Sequence, residues 1–219
     1  MWIHEMGSGI FDKNCRQCPR LADFLDQVAE KHPDYYCRPV APFGDRNARL
    51  LIVGLAPGMH GANRTGRPFT GDYAGILLYD TLYKYGFASD AESLAADDGL
   101  NLLDCRITNA VKCLPPDNKP LGAEINTCNN FLAAELNTLP AGAVVLALGG
   151  IAHRAIVKAV GGRQVNFKFG HAAEHDLDGR FRMLDSYHCS RYNTNTRRLT
   201  TEMFHAVFAR ARELLPERQ

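Results

Sequence analysis

Four short stretches, residues 50–55, 107–111, 143–148 and 182–186, constrain the fold of this chain more than any other feature. Each is a brief apolar run of the kind that forms a strand covered on both faces, where the apolar/polar alternation of a half-exposed strand is lost. Helical patterns fall between them. Residues 72–85 place Ile76, Leu77, Tyr79, Leu82 and Tyr83 on one stripe with Gly86 as a stop, and residues 121–139 lie between Pro120 and Pro140. Residues 151–160 follow Gly149 and Gly150, and residues 200–215 end before Pro216. Strands alternating with helices predict an α/β fold, a three-layer αβα arrangement around a short, four-stranded, mainly parallel central sheet. One domain spanning residues 1–219 is expected, with an N-terminal arm to about Asp45 that has no obvious strand and wraps the rest. Ligands of such sheets bind beyond the carboxyl ends of the strands. Residues 56–71 and 188–196 follow the first and last strands there, and both read as loops.

Composition narrows the class. The 219 residues are 46% hydrophobic and 22% charged, which excludes disorder and leaves ample apolar surface for a core. No apolar run approaches the roughly 18 residues of a membrane span, and residues 1–11 lack the pattern of an export signal, so a cytoplasmic protein is expected; a monomer is expected as well. A net charge of +1 argues at first against a nucleic-acid partner. Residues 1–105, however, hold 10 basic and 14 acidic side chains, and residues 106–219 hold 15 and 10. The halves carry −4 and +5, which permits a basic face that the total conceals. Seven cysteines, an odd number, speak against a complete disulfide framework.

The segment from Gly54 to Asp72, GLAPGMHGANRTGRPFTGD, contains no phosphate-binding G-x-x-x-x-G-K-[ST], no G-x-G-x-x-G and no G-x-S-x-G elbow. It resembles motif 1 of the uracil-DNA glycosylase superfamily, specifically the family 5 enzymes. The segment ITNAVKC at 107–113 is similar to the family's second-strand segment, and SYHCSRYNTNT at 186–196 to its motif 2, commonly written around His-Pro-Ser. The resemblance runs from about Cys15 to Thr201. It implies removal of uracil, and of other deaminated bases such as hypoxanthine, from DNA. A damaged-DNA- or nucleotide-binding protein without catalysis is the alternative.

Cys15 and Cys18 form a C-x-x-C ahead of a helix, and Cys113 and Cys128 follow the second strand. Four thiolates suit a structural zinc or a 4Fe-4S cluster, and spacing does not choose between them. The family resemblance implies the 4Fe-4S cluster at these four positions, in a structural role. Cys37 and Cys105 read as small buried side chains. Cys189 stands where the family commonly has Pro, and Arg197 where it usually has Gly.

Breaking an N-glycosidic bond requires a flipped base, stabilisation of the charge it carries away, and a directed water. Phe69, in its Gly- and Pro-rich loop, is placed to stack on that base. Asn109 at a strand end offers both donor and acceptor to a pyrimidine edge, and His188 can donate to the base oxygen. Gly54, Ala56 and Gly58 leave room around the base. Superfamily members with an Asp or Asn early in motif 1 use it on water; Ala56 stands at that place. The resemblance transfers this role to Asp72, a residue also placed to cap a helix. Arg67, Ser190, Arg191 and Asn193 are expected to contact DNA. Neither motif loop contains Lys, so a Schiff-base step that cuts the backbone is not indicated.

Overall fold

The computed structural model describes residues 11–177 and 179–215. The first ten residues of the expected N-terminal arm lie outside this range. Chain order gives α1 (Pro19–Lys31), β1 (Phe43–Gly44), β2 (Leu50–Gly54), α2 (Ala62–Thr65), α3 (Tyr73–Lys84), β3 (Cys105–Asn109), α4 (Gly122–Thr138), β4 (Val144–Leu148), α5 (Gly150–Ala159), β5 (Glu174–Leu177), β6 (Phe181–Ser186), α6 (Arg191–Asn195) and α7 (Thr201–Leu214).

The sheet has six strands among the described residues, in the order β1-β3-β2-β4-β6-β5. The expected four form its parallel centre, β3-β2-β4-β6, and the edge strands β1 and β5 are both antiparallel. The expectation of four strands is therefore corrected to six. Neither added strand carries an apolar signal. β1 is two residues long inside the supposedly strandless arm, and β5 is the polar Glu174–Leu177 at an edge. Only the inner strands are covered on both faces, and only they need continuous apolar sequence.

Alternate residues of the central strands serve opposite layers. Leu50, Ile52, Val144, Leu146 and Leu148 join Leu78 and Leu82 of α3 and Phe204 and Phe208 of α7. Leu51, Val53, Val145 and Ala147 join Leu132 and Leu136 of α4 and Ala152, Ala155 and Ile156 of α5. The period-two projection of strand side chains thus builds the expected αβα layering. A third cluster, around Leu25, Val28 and Leu114, docks α1 beside Cys113 and Met59.

Because β2 connects through α3 on one face and β4 through α5 on the other, a crevice opens beyond their carboxyl ends. Register brings Gly54 beside Asn109 and Leu148 beside Ser186 at this edge. The two segments expected as loops each contain a short helix, α2 and α6.

Candidate active site

A cavity of about 480 Å³ occupies the crevice. Ala56, Gly58 and Ala62 line it from the first loop, with Phe69, Asp72 and Tyr73 around the start of α3. Asn109 comes from β3, Gly149 and Gly150 from the β4–α5 junction, and His188, Ser190 and Arg191 from beyond β6. Asp72, Asn109, His188, Ala56, Gly58, Phe69, Ser190 and Arg191 were all expected in the site, and the structure brings them to one cavity.

The turn at residues 67–70 is held from below. Phe69 adopts φ 53°, in the left-handed region, a conformation a non-glycine residue keeps only where its surroundings impose it. The Tyr79 hydroxyl donates to the Pro68 carbonyl (2.9 Å). Arg67 donates to Thr70 Oγ1 (2.9 Å), Ser93 Oγ (2.6 Å) and both oxygens of Asp98 (2.8 and 2.5 Å). Its guanidinium also covers the Phe43 ring. Arg67 is only 3% exposed, so the expectation that it contacts DNA is corrected: its charge is spent on Asp98 beneath the turn. Gly54 does not touch the cavity; its contribution is missing bulk. A Cβ there would stand 2.6 Å from Phe69 Cζ and 2.4 Å from Asn109 Oδ1.

Asp72 caps α3, its Oδ1 accepting from the Gly75 N–H (2.9 Å). Its Oδ2 lies against the Gly58–Gly61 turn, where a Cβ on Gly61 would approach to 2.3 Å and one on Gly58 to 3.4 Å. Burial raises the Asp72 carboxyl above its ordinary range, opposed in part by the N–H groups of Gly75 and Ala74. Asn109 is buried, and its amide oxygen has no hydrogen-bond partner. His188 lies 5.9 Å from Phe69, ring to ring, at 27°. Loss of solvation lowers its pKa to about 4, so its imidazole is neutral at physiological pH.

The segment after β6 is braced from within. Ser190 Oγ caps α6 by accepting from the Asn193 N–H (3.4 Å), and the Asn193 amide donates to the His188 carbonyl (2.9 Å). Asn193, expected at the DNA surface, instead directs its amide inward. Arg191 is exposed and stacks on the Tyr73 ring at 4.9 Å. Several residues at the site were missed from sequence, and three of them are polar or aromatic. Tyr73 and Asn118 line the cavity, and Tyr192, next in sequence to the lining residue Arg191, stands 72% exposed on α6. An aromatic inside the second motif segment was legible as a signal; Asn118, at φ 55° in the turn after Pro116, carried none.

A second site gathers the cysteines. Cys15, Cys18, Cys113 and Cys128 line one small hollow with Leu21, Pro39, Val111 and Phe131. Cys113 and Cys128 each feel the charges of Cys15 and Cys18, so the four sulfurs share one electrostatic neighbourhood. The Lys112 N–H donates to Cys128 Sγ (3.3 Å). Convergent thiols in an apolar wall, with a backbone donor on one sulfur, fit a thiolate-bound metal group.

A model of the uracil DNA glycosylase superfamily matches residues 41–212. The chain belongs to this superfamily. A type-5 uracil-DNA glycosylase of Thermus thermophilus is 46% identical over 205 residues, 91% of this chain and 93% of that protein. One of Pyrobaculum aerophilum is 42% identical over 202 residues, 90% of this chain and 88% of its own. A type-4 uracil-DNA glycosylase of Thermotoga maritima is 30% identical over 141 residues, 64% of this chain and 59% of that protein. The superfamily match includes every residue of the cavity and the second cysteine pair, while Cys15, Cys18 and α1 precede it.

Proposed function

We propose that the chain is a monofunctional uracil-DNA glycosylase of base-excision repair, hydrolysing the N-glycosidic bond of a flipped-out deoxyuridine to leave an abasic site. The observation that carries this reading is the unpartnered, buried amide oxygen of Asn109 in a cavity walled by Phe69, His188 and Asp72. Leaving such an atom unpaired costs about 1–3 kcal/mol, a penalty that a ligand supplying the missing donor removes. The N3–H of a pyrimidine is such a donor.

Extruding a base costs a few kcal/mol, least where it is mispaired. The flipped base stacks on Phe69, whose ring is fixed by the 67–70 turn, and Asn109 reads its edge. As the glycosidic bond breaks, negative charge grows on the base oxygens. A neutral His188 donates one N–H to that charge without first burying a charge of its own. Asp72, a stronger base for being desolvated, takes the proton of the attacking water or stabilises the cationic sugar through Oδ2 while Oδ1 keeps its hold on α3. None of the cavity's lining residues is Lys, in keeping with hydrolysis that leaves the DNA strand intact. A volume of about 480 Å³ and the methyl group of Ala56 leave room for a bicyclic base, supporting a range that extends to hypoxanthine.

We read Cys15, Cys18, Cys113 and Cys128 as ligands of a structural 4Fe-4S cluster. A single zinc needs its sulfurs about 3.8 Å apart, from Zn–S bonds of about 2.3 Å. A 4Fe-4S cluster takes the same four thiolates at wider spacing, and the resemblance to the cluster-containing family 5 enzymes selects it over zinc. The cluster would supply cross-linking, tying α1 to the loop that follows β3.

Duplexes carrying uracil or hypoxanthine, incubated with the protein and then treated with alkali, test the activity. Alkali-labile sites at the modified base are expected. Retention of these duplexes without labile sites would replace the enzyme with a damaged-DNA-binding protein.

A further inference from the structure

Behind the cavity, on the α4/α5 face of the sheet, a buried group takes no part in the chemistry above. Asp185 of β6 is completely buried. Its Oδ1 lies 2.8 Å from His153 Nδ1 and its Oδ2 lies 3.0 Å from His175 Nε2. The Gly170 N–H donates to Oδ2 at 3.3 Å. His153 Nε2 in turn faces the Phe167 carbonyl at 3.1 Å.

His153 thus has an oxygen acceptor at each ring nitrogen, whereas a neutral imidazole carries only one N–H. With the proton on Nε2, donated to Phe167, the lone pair of Nδ1 points at a carboxylate. That contact is repulsive unless a cation stands between them. A metal ion satisfies every atom: Nδ1 of His153, Nε2 of His175 and the Asp185 carboxylate become ligands, and the Phe167 carbonyl becomes the outer partner that metal-bound histidines usually have. The three ligand atoms lie within 4.8 Å of one another. Tetrahedral zinc, with bonds of about 2.0 Å, would need them roughly 3.3 Å apart: the two histidine–carboxylate contacts of 2.8 and 3.0 Å would open by a few tenths of an ångström, and the widest pair, within 4.8 Å, would draw in around the ion. The rings of Phe169 and Phe167 shield His153 and His175, the closed surroundings of a structural ion.

We propose that His153, His175 and Asp185 form a structural zinc site, sharing no ligand with the cysteines. The ion would fasten edge strand β5 and the 167–170 turn to the end of β6, three residues ahead of His188. The fourth position would go to the second Asp185 oxygen or to water.

Elemental analysis of full-length protein, produced with zinc present and purified without chelator, tests the site against His175→Gln. The wild type should carry one equivalent of zinc more than the variant, with equal iron in both. Because only the difference counts, the result does not depend on which metal the cysteines hold. Equal zinc in the two proteins would overturn the proposal. Should the variant fail to fold, X-ray absorption at the zinc edge of the wild type decides: nitrogen and oxygen neighbours with imidazole scattering are expected, and zinc that is absent or bound by sulfur alone refutes the site.

Discussion

Asp72 serves the fold with one oxygen and the cavity with the other, and substitution separates the two. Asn caps a helix about as well as Asp, whereas Ala forfeits about 1 kcal/mol of capping. Asp72→Asn should therefore melt close to the wild type yet lose about 10²- to 10⁴-fold in base release, the usual worth of a general base. Asp72→Ala should lose stability as well. Single-turnover rates and thermal melts check both; full activity in Asp72→Asn would reduce the residue to a cap. His188 makes a second prediction at this scale. Its pKa falls from an ordinary 6.5 to about 4, so the unfolded chain binds its proton first as the pH drops. The stability that its neutral form supplies should be full above about pH 6.5, be lost progressively between about pH 6.5 and pH 4, and fall no further below that. Imidazole nitrogen shifts in NMR should show His188 titrating near pH 4, and a midpoint at 6.5 would contradict a desolvated ring. Arg67 shows what sequence withholds at this level. Its charge was legible, but Asp98, which neutralises it, lies 31 residues away in a segment with no motif.

Among the elements, the 67–70 turn depends on the clamp beneath it. Asp98→Ala would strand a buried guanidinium, at about 3–5 kcal/mol for a broken buried pair, and release the turn that orients Phe69. Denaturant unfolding and base-release rates should fall together; an intact rate in a destabilised variant would separate Phe69 from the clamp. The turn after α6 behaves oppositely. Arg197 sits at φ 55°, in the left-handed region. Arg197→Gly should thus relieve about 1 kcal/mol of left-handed strain and raise the melting temperature. The parallel strands were legible because β2 and β4 are buried throughout and must be apolar at every position. β5 was not, since the partly wet edge sequence Glu174–Leu177 resembles loop. The αβα layers followed from the alternation of strand and helix patterns and most of the cavity from motif position; α6, the brace through Asn193 and the approach of Asn118 required the folded chain.

At the scale of the whole molecule, a net charge of +1 coexists with a split of −4 and +5 between the halves, and the exposed Arg191, Arg197 and Arg198 follow the last parallel strand. Binding to uracil-containing duplex should accordingly weaken with salt. A shallow slope, from a few phosphate contacts only, is expected in a plot of log affinity against log salt. Charge-reversal variants at Arg191 and Arg198 should lower that slope, and an unchanged slope would move the DNA to another face. The crevice beyond β2 and β4 is where the bond between uracil and its sugar is proposed to break. Product analysis of a uracil-containing duplex, before any alkali is added, tests it most directly. Free uracil in amounts matching the abasic sites, with the DNA strand unbroken, is expected. Strand breakage without alkali, or bound duplex with no free uracil, would contradict it.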